Sequence, residues 1–160
     1  MSILSVLEVE SDFQYWMRIC CFAVLYIMLA VCIYTDGKEG KIYNKVLIPG
    51  FLSGILLNFI GYGTDGLVSC LISLTITLVF FLPFYLLKGI GAGDIKLIAT
   101  CSVLVNVFYT AGALIVATIL AAIFATFKWL KTRKARVRIR YGVFIGIGFY
   151  LYQVLILIFG

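Results

Sequence analysis

The sequence predicts an all-α integral membrane protein, a single bundle of about six transmembrane helices that takes up the whole chain, 1–160. Three observations predict it. Hydrophobic residues make up 64% of the chain and charged ones only 12%, with a mean hydropathy of +1.15, far from the balance of a water-soluble domain. The apolar residues fall into runs close to the roughly 20 residues that cross a bilayer, joined by short polar stretches. The charges sort by loop, with basic residues gathered in alternate connections.

Tyr15 and Trp16 are interfacial aromatics at the start of the first predicted span, 16–34, which ends before Thr35-Asp36-Gly37. Glu8, Glu10 and Asp12 stand where a secretory leader would be basic, so this span is expected to remain in the protein. A polar loop over 36–45 leads to the second span, 46–61. Pro49 fits its first turn, and Gly50 and Gly54 form a GxxxG pair suited to close helix contact. A turn at 62–66 precedes the third span, 67–87. The fourth, 95–105, is short for a crossing and is expected to start beneath the surface or to break near Asn106 before the fifth, 109–130. The last span, 141–159, carries a second GxxxG pair, Gly142 and Gly146.

Six crossings put Lys38, Lys41, Lys45, Lys88, Lys96, Lys128, Lys131, Arg133, Lys134, Arg136, Arg138 and Arg140 on one side, twelve of the thirteen basic residues, leaving Arg18 near the other. Glu8, Glu10, Asp12 and Asp65 fall on that other side. The positive-inside rule therefore predicts cytoplasmic basic loops and both termini outside the cytoplasmic membrane. The net charge of +6 thus reads as topology, and no nucleic-acid partner is expected. The basic stretch before the last span either orients the chain while touching anionic membrane lipids or attracts a partner segment. With no histidine and no CxxC pair, histidine catalysis is excluded and a metal site is not expected. Cys20, Cys21, Cys32, Cys70 and Cys101 are expected to be buried free thiols.

Only three acids remain on the cytoplasmic side: Asp36, Glu39 and Asp94. Asp36 follows the end of the first span and Asp94 opens the fourth, so the two are expected at one depth, where a small bundle could bring them together. Facing carboxyls share a proton, because like charges a few ångströms apart resist double ionisation. One then serves as general base toward water and the other as general acid toward a carbonyl. Helix direction predicts Asp94 as the resting base, since it sits at a helix N-terminus whereas Asp36 lies beyond a C-terminus; Lys38, Lys41 and Lys96 could reverse this. Two readings compete with hydrolysis. The acids could be solvated helix-end residues, or proton or cation ligands of a small transporter or channel, whose carboxylates would sit nearer mid-membrane.

Gly91-Ala92-Gly93-Asp94 is a GxGD motif, and with Lys96 and the small-residue helix after it the stretch resembles the type IV prepilin peptidase family, GxGD aspartic proteases of bacterial and archaeal membranes. Asp36 with Ile42 and Asn44 is similar to that family's D-x5-I-P-N segment, with Tyr43 in place of proline. The segment from Tyr141 to Gly146 is similar to its F-G-P-F-x-x segment, with Val143 in place of proline.

The resemblance implies an aspartic endopeptidase with Asp36 and Asp94 as the catalytic pair and no metal or organic cofactor. Its substrates would be pilin-like precursors with a short basic cytoplasmic leader before an apolar helix. It resembles the short, peptidase-only form, without methyltransferase activity. Presenilin-like proteases share GxGD, but no Pro-Ala-Leu segment occurs near the C-terminus. Gly91 and Gly93 make room either for a substrate backbone or for a neighbouring helix. Glu39 is either a solvated loop residue or a contact for the leader. Lys96 either anchors at the surface or tunes Asp94.

Overall fold

The computed structural model describes residues 12–87, 90–132 and 141–159. They form α1 (Asp12–Glu39), α2 (Asn44–Leu86), α3 (Ala92–Val105), α4 (Val107–Thr132) and α5 (Tyr141–Phe159), with no strand among the described residues. Lys88, Gly89, Arg133, Lys134, Arg136, Arg138 and Arg140 of the expected cytoplasmic loops lie outside the described residues, as do Glu8 and Glu10.

The all-helical class is as expected, but the count of about six spans is not reproduced. Five helices are present among the described residues, and four of them, all but α3, are long and apolar enough to cross a membrane. The sequence divides 44–86 at its polar turn, whereas helix runs up to Gly63 from both sides. A straight helix of 43 residues would be about 64 Å long, twice a bilayer core. Gly63, with φ 62° and ψ −138°, takes the backbone out of the helix there, in torsions that favour glycine.

The two arms of α2 lie on either side of α3. On the first arm, a Cβ at Gly54 would stand 3.1 Å from Leu104 Cδ2 and 3.2 Å from Val103 Cγ1, so this glycine of the first GxxxG pair is where α3 approaches. From the second arm, Cys70 Sγ lies 3.5 Å from Val103 O, and Ser73 O accepts a hydrogen bond of 3.4 Å from Ser102 Oγ. Asn58 of the first arm donates to the same Val103 carbonyl at 3.1 Å.

Helix α3 is the axis of the bundle. Its 14 residues cover about 21 Å, too little for a crossing. Ile95 and the run from Leu97 to Leu104 are buried, so this helix shows no lipid face. It ends at Asn106, whose positive φ of 78° breaks the helix before α4. Leu25, Leu29 and Cys32 of α1, together with Ile145 and Phe149 of α5, complete the core around Leu97, Ile98 and Cys101.

Small residues let the outer helices close on one another. A Cβ at Gly146 would be 2.5 Å from Ile33 Cγ1 of α1, and one at Gly148 would be 2.5 Å from Ala117 Cβ and 2.8 Å from Ala113 O of α4. Tyr26, Tyr109 and Gln153 hydrogen-bond to one another, and Tyr150 donates to Tyr26 O at 2.9 Å, adding polar ties among α1, α4 and α5. The outside is apolar: Ile27 is 68% exposed, Val79 67% and Ile123 62%. Only hydrocarbon covers such a surface favourably, and the chain is a multi-pass membrane protein. The cysteines depart from expectation at one position. Cys21, Cys32, Cys70 and Cys101 are buried free thiols, while Cys20, on the outward face of α1, is exposed.

Gly148→Val is expected to lower thermal stability in detergent by about 1–3 kcal/mol through overpacking against Ala113 and Ala117. Ile123→Val on the outer face is expected to stay within about 0.5 kcal/mol. Equal melting shifts for the two would contradict the close α4–α5 packing.

Candidate active site

The end of α1 is set by Gly40, whose φ of 67° allows its N–H to bond Asp36 O at 2.9 Å. The helix therefore runs past the apolar stretch, and Asp36 sits inside its last turn, beyond the expected end at Tyr34. There Asp36 is buried, only 6% exposed, and faces the start of α5. The Val143 N–H donates to Asp36 Oδ2 at 3.1 Å. Val143 lies in the first turn of α5, where backbone N–H groups have no acceptor within the helix. Gly142 makes the approach possible. A Cβ there would stand 2.9 Å from Asp36 Oδ2 and 2.9 Å from Ile42 Cδ1.

Asp94 lies in the first turn of α3, whose N-cap is Gly91 in an extended conformation. It is the third residue of the helix, from which a side chain reaches back to the N-cap amide, and the Gly91 N–H hydrogen-bonds its carboxylate. A Cβ on Gly91 would come within 3.1 Å of Asp94 Oδ2, so this glycine of the motif keeps the space beside the acid open. A Cβ at Gly93 would make ordinary contact with Ile42 at 3.5 Å. Ile42 thus sits between the glycines that neighbour the two acids, a role that its sequence position did not indicate.

Asp94 is pushed up to about 6, first by burial and second by the negative charge of Asp36, with the Gly91 N–H opposing both. Helix direction alone predicts the resting proton on Asp36, with Asp94 as base. Helix direction leaves out the N-terminus of α5, which reaches Asp36 across 107 positions of sequence and meets it with a hydrogen-bond donor.

Lys96 is exposed, and its Nζ donates to Asn44 Oδ1 at 3.3 Å, tying the start of α3 to the start of α2. Glu39 is exposed and accepts the Tyr43 hydroxyl, so the tyrosine in the place of proline closes the α1–α2 connection with a side-chain bond. A cavity of about 380 Å³ opens at the other end of the bundle, beside Arg18, Asn58, Asp65 and Asn106. Neither acid of the pair lines it, and it offers no second carboxyl to face Asp65. No group of residues suited to holding a metal occurs among the described residues.

Residues 23–126 match the model of the type IV leader peptidase family. No curated protein and no solved structure matches the chain. The match covers more than half of the chain and includes both Asp36 and Asp94, and on that ground the chain belongs to the type IV leader peptidase family, a family of membrane proteases.

Proposed function

We propose that the chain is an aspartic endopeptidase that removes the short basic leader from type IV pilin-like precursors at the cytoplasmic membrane face, using a water activated by Asp36 and Asp94. The observation that supports this most is the pairing itself. In a chain of this family, the burial of Asp94 and the charge of Asp36 raise Asp94 to about 6, as a shared-proton pair requires.

The Asp36 carboxylate takes a proton from water as the water oxygen bonds to the scissile carbonyl carbon. Asp94 gives its proton to the carbonyl oxygen, and a neutral tetrahedral diol results. On collapse the C–N bond breaks, Asp36 passes its proton to the leaving nitrogen, and Asp94 recovers one from a hydroxyl. Both acids end as they began. The pair titrates as a unit, so either residue exchanges roles in the return step. No metal or organic cofactor enters the reaction.

The orientation follows from charge. Lys38, Lys41, Lys45 and Lys96 are exposed at the same end of the bundle as the two acids, which supports a cytoplasmic active site. A basic leader would meet Glu39 at that surface, while the apolar helix of the precursor lies in the bilayer beside the exposed aliphatic face. Carboxyls at the ends of α1 and α3 fit poorly with a transporter, whose ion-binding acids belong near mid-membrane.

Coexpression with candidate precursors tests the proposal. Leader removal is expected from the wild type, with a loss of about 10³-fold or more for Asp36→Ala and for Asp94→Ala; unchanged processing by either folded variant would remove the pair from the mechanism. The pH profile gives a second check. Protonated Asp94 is present below its midpoint and lost above it, so kcat/KM of the purified enzyme is expected to fall as pH rises through about 6. A profile flat from pH 5 to 8 would contradict the role of Asp94 as the acid.

A further inference from the structure

Val143 is the third residue of α5. Its backbone N–H donates to Asp36 Oδ2 at 3.1 Å, and only the absence of a side chain at Gly142 lets the carboxylate come so close. Proline at this position would lack that N–H. We propose that Val143 is a positioning residue of the acid pair: its backbone N–H, which a proline there would lack, holds the Asp36 carboxyl within the space that Gly142 leaves. The inference rests on reading Asp36 and Asp94 as a hydrolytic pair.

Three features favour a role beyond capping α5. Asp36 is 6% exposed, so few waters compete for its oxygens. The donor lies in the first turn of α5, where the helix end is electropositive. Asp94, the other member of the pair, receives the Gly91 N–H but is half-buried near the charge of Asp36. Each acid therefore has one main-chain donor, and the donor on Asp36 comes from a different helix.

Few other charges oppose this among the described residues. On α1, Cys32 lies one turn before Asp36, and α3 contributes Asp94. On α5 the Tyr141 hydroxyl pairs with Thr118 of α4, 3.0 Å away. Around the start of α2, Glu39 takes the Tyr43 hydroxyl and Lys96 faces Asn44, while Lys41 and Lys45 are exposed.

The test is leader cleavage against pH in the full-length protein for the wild type, Val143→Ala and Val143→Pro. Proline is tolerated in the first turn of a helix, so the exchange removes the donor while α5 keeps its start. Losing a hydrogen bond to a carboxylate makes it easier to protonate. The acid limb of kcat/KM is expected to move up by about 1 pH unit in Val143→Pro and to stay at the wild-type position in Val143→Ala. An unmoved limb in Val143→Pro overturns the proposal while leaving the pair intact; failure of the pair itself shows separately, as undiminished cleavage by Asp36→Asn.

Valine-selective ¹⁵N labelling of the wild type reads the same contact without a proline variant. The Val143 amide proton is expected to shift over the pH range of the acid limb and to lose that shift in Asp36→Asn. An amide indifferent to pH overturns the proposal whether or not Val143→Pro folds.

Discussion

The arrangement depends on burying a helix that is too short to cross the membrane. With 14 residues and nine of them buried, α3 meets protein on every side. That demand explains features which look unrelated in sequence. The long α2 reverses at Gly63 so that two arms can cover α3, and Gly50 and Gly54 bring the first arm to Thr100, Val103 and Leu104. The polar groups that α3 carries into the interior find partners in its wrapping, as Ser102 does with Ser73 O. In hydrocarbon an unmatched polar group would cost several kcal/mol, so the hydrogen bonds and the close packing serve the same end.

This central helix begins with Gly91 and Ala92 exposed, and its first turn carries the half-buried Asp94. The C-terminus of α1 and the N-terminus of α5 meet it there. The two carboxyls meet different surroundings there. Asp36 receives the α5 backbone, while Asp94, next to that charge, is driven toward its protonated form. Hydrolysis by an acid pair needs this inequality, because two identical carboxylates would supply neither a reliable base nor a reliable acid.

Composition and apolar runs made the helical membrane class legible, and the GxGD motif together with the segments around Asp36 and Tyr141 pointed to the family. The count of spans was less legible. Hydropathy marks where a chain turns polar, but it does not say whether a helix resumes on both sides of one glycine, as at Gly63, or whether a short run such as 92–105 is enclosed by its neighbours. The surroundings of Asp36 were hidden for a related reason. Its own helix does not disclose the α5 amide, 107 positions away, that donates to it. Glycine at 142 was visible as half of a GxxxG pair, and nothing local distinguished a glycine that admits a helix from one that admits a carboxylate. Nothing in the sequence around Lys96 discloses that its Nζ bonds Asn44.

The account stands on an unequal acid pair, and the carbonyl stretch of a protonated carboxyl reads it most directly. Infrared difference titration of the purified protein should show such a band disappearing around pH 6, absent in Asp94→Asn. In Asp36→Asn the band should persist with its midpoint lowered, because burial remains when the neighbouring charge is gone. A band lost in Asp36→Asn and kept unchanged in Asp94→Asn would contradict the assignment of base and acid.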